Sequence, residues 1–141
     1  MIISDVMPSR TLRVFSVARR FQKFLVVGTV GLAVNQLMLI VFHDGAGLEL
    51  LASSVLAISV SMVVTFILNE MWTWHDRGTG PIAHRLISYV PINTGGLIIN
   101  AGVLLFLVDR FDAYKLAANL IGAGLAAIWN FCLNSAITWR R

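Results

Sequence analysis

Four continuous apolar runs divide the chain, at residues 24–42, 51–69, 86–108 and 116–134. About 20 residues at a helical rise of 1.5 Å cross a hydrocarbon layer about 30 Å thick, and each run meets that length. Alternation with period two, the mark of a half-buried strand, is absent. In lipid every backbone N–H and C=O must be paired within its own segment, and too few strands are available to close a barrel. Each run is therefore predicted to be a helix. The expected fold is an all-α integral membrane protein with four transmembrane helices. The polar intervals are short: 43–50, 109–115, and a linker at 75–84 punctuated by Gly78, Gly80 and Pro81.

The second and fourth runs end alike. Phe66-Ile67-Leu68-Asn69 is followed by three residues and Thr73-Trp74; Phe131-Cys132-Leu133-Asn134 is followed by three residues and Thr138-Trp139. The offset is 65 residues, and it also superimposes Arg20 on Arg85, Thr29 on Thr94, Gly31 on Gly96, Asn35 on Asn100 and Asp44 on Asp109. Apolar composition raises chance matches but does not pair Asn, Asp, Arg, Thr and Trp at one offset. A tandem duplication of a two-helix unit is expected. The expected organisation is a basic amphipathic segment at 1–23, a first repeat at 24–74, a linker at 75–85 and a second repeat at 86–139.

Composition agrees. Of 141 residues, 57% are hydrophobic and 13% charged, with a mean hydropathy of +0.79. The formal charge is +4, and no soluble domain is left to carry a nucleic-acid reader. The cations instead read as topology signals. Nine of the eleven (Arg10, Arg13, Arg19, Arg20, Lys23, Arg77, Arg85, Arg140 and Arg141) fall on the side of the termini and the linker; Arg110 and Lys115 fall on the other. The excess predicts that both termini and the linker are cytoplasmic, with two repeats of like orientation.

Residues 10–23 place Val14, Ala18 and Phe21 on one helical face and Arg13, Arg20 and Lys23 on another. The segment reads as a surface helix, or as a set of cations anchoring the first span. With no small-x-small cleavage site after a span-length run, a retained anchor is expected rather than a cleaved leader. Gly28, Gly31 and Asn35 share a face of the first span; Asn93, Gly96 and Asn100 share that of the third. Pro91 marks a kink or the start of the third span. The second span carries a stripe of Ser54, Ala57, Ser61 and Thr65, and the fourth carries Asn119, Gly122, Ala126 and Asn130, both expected to face inward. Asn residues in such places either bond across helix contacts or line a polar path. Trp72, Trp74 and Trp139 suit an interfacial belt, and Cys132 reads as a small buried packing residue. The histidines lack metal-ligand spacing, and no nucleophile–base pair is apparent. Neither an enzyme nor a cofactor is expected.

With these residues in view, the chain resembles the GtrA-like family. The resemblance rests on the four spans, the tandem repeat, the Phe-Leu-Val-Val-Gly opening at 24–28 and the Phe-x-Leu-Asn-x-x-x-Thr-aromatic endings, and it covers roughly residues 19–140. It implies a small bacterial inner-membrane protein that moves a polyprenyl-phosphate-linked sugar from the cytoplasmic to the outer leaflet for cell-surface polysaccharide synthesis or glycosylation. The family often has a basic residue directly after the motif Asn; here Glu70 and Ser135 stand there. A phosphate-binding role therefore passes to Arg20, Arg85, Arg140 or Arg141, with the paired Arg20 and Arg85 the first choice. Asn35, Asn100, Asn69, Asn134, Thr65 and Asn130 are the candidates for the sugar hydroxyls. The alternative is a non-catalytic membrane scaffold that recruits a glycosyltransferase. A small exporter of cations would need an acid deep in a span, which the first span lacks. Four helices are few to surround a sugar, so a homo-oligomer is a further expectation.

Overall fold

A computed structural model describes residues 9–141. Residues 1–8, where the sequence shows no pattern, lie outside the described residues. Four helices follow one another: α1 (Ser9–Leu39), α2 (Leu50–Leu68), α3 (Ile82–Phe111) and α4 (Lys115–Leu133). Three of them end in a π-helical turn: Ile40–Gly45 after α1, Asn69–Thr73 after α2 and Asn134–Thr138 after α4. With these turns the helical stretches are 37, 24, 30 and 24 residues long. All four are long and apolar enough to cross a membrane. The protein is a multi-pass membrane protein, all-helical among the described residues.

The helices pair in sequence order into two compact units, one ending at His75 and one spanning Asp76–Arg141. In the first, α1 packs against α2; in the second, α3 packs against α4. Most buried positions of the two units coincide under the 65-residue shift, the exceptions being Phe66 and Ala126, whose counterparts Phe131 and Ser61 are half-buried. Phe24, Val27 and Gly31 of α1 match Tyr89, Ile92 and Gly96 of α3. Ser53 and Ala57 of α2 match Ala118 and Gly122 of α4, and Asn69, Thr73 and Trp74 match Asn134, Thr138 and Trp139. The steps of three and four residues keep each set on one helical face.

Small residues set how closely the helices approach. The Ser61 hydroxyl on α2 donates to the Gly31 carbonyl on α1, 2.7 Å away; a Cβ on Gly31 would run into the Thr65 methyl and Ser61. In the second unit a Cβ on Gly122 would lie 2.8 Å from the Asn100 carbonyl oxygen and 3.3 Å from its Cα, and one on Gly96 would overlap the Asn130 amide. The Trp129 indole donates to the Ile92 carbonyl at 3.1 Å. Hydrocarbon supplies no hydrophobic drive between helices, so close backbone approach and such bonds supply the association.

The turn inside each unit closes the same way. Leu48 N–H reaches back to the Phe42 carbonyl (3.0 Å) and Ala113 N–H to the Leu107 carbonyl (3.2 Å). The residue before each donor is left-handed, Gly47 at φ 71 and Asp112 at φ 50. This is the closure that pairs the last carbonyls of a helix, and it uses Gly or a small polar residue for the positive φ.

Several expectations change. Residues 10–23 are helical, but α1 runs through them unbroken from Ser9, so the cations ride on the first turns of the spanning helix. Helix α3 starts at Ile82 and holds Pro91 inside it. His43 belongs to a π-helical turn and bonds the Leu48 carbonyl at 2.8 Å. Cys132 is exposed, because the buried face of α4 is Ala118, Gly122 and Ala126. That face leaves Asn119 exposed as well.

Gly122→Ala will lower the stability of the detergent-solubilised protein by about 1–3 kcal/mol, since the rigid backbone of α3 must give way. Gly102→Ala, with nothing within 4 Å of the added methyl, will leave stability unchanged or raise it by up to about 1 kcal/mol through helix propensity. Thermal unfolding of the two variants beside the wild type checks the order.

Candidate functional site

The repeated Asn-x-x-x-Thr-Trp stretch builds one local structure twice. At the end of α2 the hydrogen-bond ladder widens: Trp74 N–H bonds the Asn69 carbonyl, five residues back, at 2.9 Å, and Trp139 N–H bonds the Asn134 carbonyl at 2.8 Å. Inside each turn a hydroxyl donates to an amide oxygen, Thr73 Oγ1 to Asn69 Oδ1 and Thr138 Oγ1 to Asn134 Oδ1, each at 2.8 Å. The spacing of four makes this possible, because side chains one turn apart stand on one face. The tryptophan then leaves the helix, at φ −120 for Trp74 and −116 for Trp139, and folds back against the first helix of its unit. Its ring meets Phe24 in one unit and Tyr89 in the other, each edge-to-face at 5.6 Å.

Both tryptophans are fully buried. They are core residues, not members of an interfacial belt; of the three expected there, only Trp72 is exposed. Asn69, Asn134, Thr73 and Thr138 are buried too. The turn consumes the hydroxyls of the two threonines and the amide oxygens of the two asparagines.

Cations from α1 finish the first turn. The Arg20 guanidinium donates to the Thr73 carbonyl at 2.9 Å. The Lys23 ammonium reaches the Trp72 carbonyl at 3.5 Å and lies 5.4 Å from the centre of the Trp72 ring. The last carbonyls of a helix have no partners within it and carry partial negative charge, so cations are stabilised there. His75 Nδ1 lies 3.1 Å from the Trp72 carbonyl; a carbonyl only accepts, so this nitrogen is the donor.

These groups surround a cleft of about 420 Å³, lined by Phe15, Ser16, Arg19, Arg20, Lys23, Thr73 and His75. Among the described residues, three permanent cations and no acid line it. Sequence reasoning singled out Arg20 for phosphate, read Arg19 as a topology charge and placed Lys23 on the polar face of a basic surface helix. The signal for the set was present: Arg19, Arg20 and Lys23 sit within one turn and a half of each other, so one end of α1 presents them together.

The second unit carries other residues at these places. The shift by 65 carries Arg19 onto His84, Lys23 onto Ser88 and His75 onto Arg140. Arg85, the counterpart of Arg20, donates to the Gly80 carbonyl at 2.8 Å, and Arg77 donates to the Ser135 hydroxyl at 3.1 Å. Arg140 and Arg141 are exposed at the end of the chain.

The remaining candidates lie within the helix pairs. Thr65 Oγ1 is bonded to the Ser61 and Met62 carbonyls of its own helix, at 2.9 and 3.0 Å. Asn35, Asn100 and Asn130 are half-buried, and the Oδ1 of each is buried and accepts no hydrogen bond from the described residues. Asn100 and Asn130 lie against the glycines of the facing helix, Gly122 and Gly96. In hydrocarbon an acceptor left unpaired costs free energy. These three amides are thus the groups most ready to take a hydroxyl donor.

A family model described as GtrA/DPMS, transmembrane domain, matches residues 23–139. The chain is also 30% identical over 123 residues to a dolichol-phosphate mannosyltransferase of Pyrococcus furiosus. That alignment takes in 85% of this chain and 34% of the relative. The chain therefore spans about a third of the length of that curated relative.

Thr138→Val will destabilise the second unit by about 1–3 kcal/mol, because the Asn134 amide loses the hydroxyl that it accepts in a buried place. Thr138→Ser, which keeps the hydroxyl, will cost less. Hydrogen exchange at the Trp139 amide, read for both variants in detergent, distinguishes them.

Proposed function

Because this chain belongs to the GtrA/DPMS transmembrane-domain family, we propose that it moves a polyprenyl-phosphate-linked sugar from the cytoplasmic to the outer leaflet of a bacterial inner membrane. The observation that carries this reading is the cleft of the first unit, lined among the described residues by Arg19, Arg20 and Lys23 and by no acid. A phosphate needs such a place. Its charge is stabilised by Arg and Lys donors, which form charge-assisted bonds to its oxygens.

Translocation by this route asks for no covalent chemistry. The prenyl tail stays in lipid. The phosphate docks at Arg20 and Lys23, which exchange part of their hold on the Thr73 and Trp72 carbonyls for phosphate oxygens. The sugar hydroxyls replace lost water with the open acceptors of Asn35, Asn100 and Asn130. Asn69 and Asn134 shape the turn and do not touch cargo, and Thr65 contributes its methyl to the helix contact. Arg85 and Arg140 act on the linker and the chain end. The flux is set by synthesis on one side and consumption on the other. Both termini face the cytoplasm in this reading, which the distribution of nine cations against two supports.

A second reading has its own support. The relative is a mannosyltransferase of which this chain matches only a third. A membrane module of this kind serves equally to hold a glycosyltransferase at its lipid substrate without moving the lipid.

Translocation in vesicles separates the two. Purified protein in liposomes is given a fluorescent prenyl-phosphate sugar, and its arrival in the opposite leaflet is timed. Acceleration over empty liposomes is expected, with a rate lowered about tenfold or more by the Arg20→Ala/Lys23→Ala double variant, which loses two charged contacts to phosphate. Arg20→Lys will keep part of the rate. A double variant that unfolds at the wild-type temperature and translocates normally sinks the phosphate role. No acceleration, with a transferase copurifying, favours the scaffold.

A further inference from the structure

The second unit holds a larger groove at its other end. It measures about 760 Å³ and is walled by Leu104, Leu105 and Val108 of α3 and by Leu116 of α4, with Tyr114, Lys115 and Asn119 at one side. This volume falls within the range of small-ligand pockets. It lies beside the α3–α4 turn, at the end of the unit remote from Asn134–Thr138. Tyr114, Leu105 and Leu116 are exposed.

Lys115 makes the groove more than an apolar face. It is one of only two cations on its side of the charge distribution, and among the described residues it has no hydrogen-bond or ion-pair partner. Asn119 stands one helical turn further along α4, its amide exposed. The arrangement sets a cation and an amide at the rim of an aliphatic trough. That is the complement of an amphiphile with one anionic head and a hydrocarbon tail: the ammonium meets phosphate, and the trough takes the chain.

We propose that this groove is a second lipid-phosphate site, at which the polyprenyl phosphate rests on the outer side with its phosphate on Lys115 and its first isoprene units along Leu104, Leu105, Val108 and Leu116. The choice of a prenyl phosphate over a bilayer phospholipid rests on the transport reading. So does the outer location, which follows from the cation distribution. The site holds its lipid weakly. One lysine stands here against three cations in the cleft of the first unit, and Asp109 and Asp112 follow Val108 along the same helix end, opposing a second negative charge. A weak site suits a lipid that must leave.

The test uses the whole chain in phosphatidylcholine nanodiscs that contain undecaprenyl phosphate or, at equal mole fraction, phosphatidylglycerol. The substitution Leu105→p-benzoylphenylalanine places a photoreactive ketone in the groove wall, and mass spectrometry reads the adducts after irradiation. Leu116→p-benzoylphenylalanine, on the facing helix, guards against a local defect at one position. The expected result is an adduct with undecaprenyl phosphate in preference to phosphatidylglycerol, reduced about fivefold or more by Lys115→Gln and retained by Lys115→Arg, as a charge-assisted bond predicts. Equal adducts with both lipids, or a yield indifferent to Lys115→Gln at both positions, overturns the site. Translocation in vesicles is scored in parallel. A Lys115-dependent adduct without translocation leaves this site standing and removes the transport reading, whereas normal translocation with an indifferent adduct removes this site alone.

Discussion

The rest of each unit depends on how the second helix ends. A spanning helix finishes with carbonyls that have no partner within it, and near hydrocarbon such groups must be satisfied by the protein. Here the widened turn pairs the Asn carbonyl with the Trp N–H, and the Thr hydroxyl occupies the Asn amide oxygen. The same turn directs the indole inward. The largest side chain of the unit thereby becomes its core, packed edge-to-face on the first helix. Closing the helix and joining the two helices are one event, so a change in Asn or Thr reaches the aromatic contact.

That dependence explains why the helix faces are so spare. With an indole fixed at one end and a left-handed turn at the other, the space between needs only small residues: Gly31 against Ser61 and Thr65, Gly122 against Asn100, Gly96 against Asn130. The lipid-facing sides carry the leucines, valines and isoleucines. Such a unit is inside-out relative to a soluble one, and its cohesion comes from close backbone approach rather than from apolar area removed from water.

Much of this was legible in the sequence. Run length gave the four helices, because the bilayer sets it. The 65-residue offset foreshadowed the match of buried positions, down to the left-handed residues Gly47 and Asp112, whose identities differ while their geometry agrees. What escaped has physical causes. Asn, Thr and Trp at this spacing fit an ordinary helix end as well as a π turn, so the widening was invisible. The burial of Trp74 and Trp139 was missed because their partners are Phe24 and Tyr89, unlike residues at equivalent positions, and because a Trp at a span end usually sits at the interface. The stripe on α4 was misplaced by one residue at Asn119, since Ala118 is the residue that packs; one residue turns a helix face by about 100°. The basic cleft was only half legible, as its cations lie on α1 while Thr73 and His75, which close it, come from beyond α2.

The two units diverge in their charged residues. Most of their buried positions match, yet the residues at the places of two of the three cations do not. The first turn is met by Arg20 and Lys23 beside Arg19; the corresponding places of the second hold Arg85, Ser88 and His84. The second turn closes by the same Asn, Thr and Trp geometry and takes a cation from the linker, Arg77, onto its Ser135 hydroxyl. The clustered charge of the first unit is of the kind that anions meet with charge-assisted bonds.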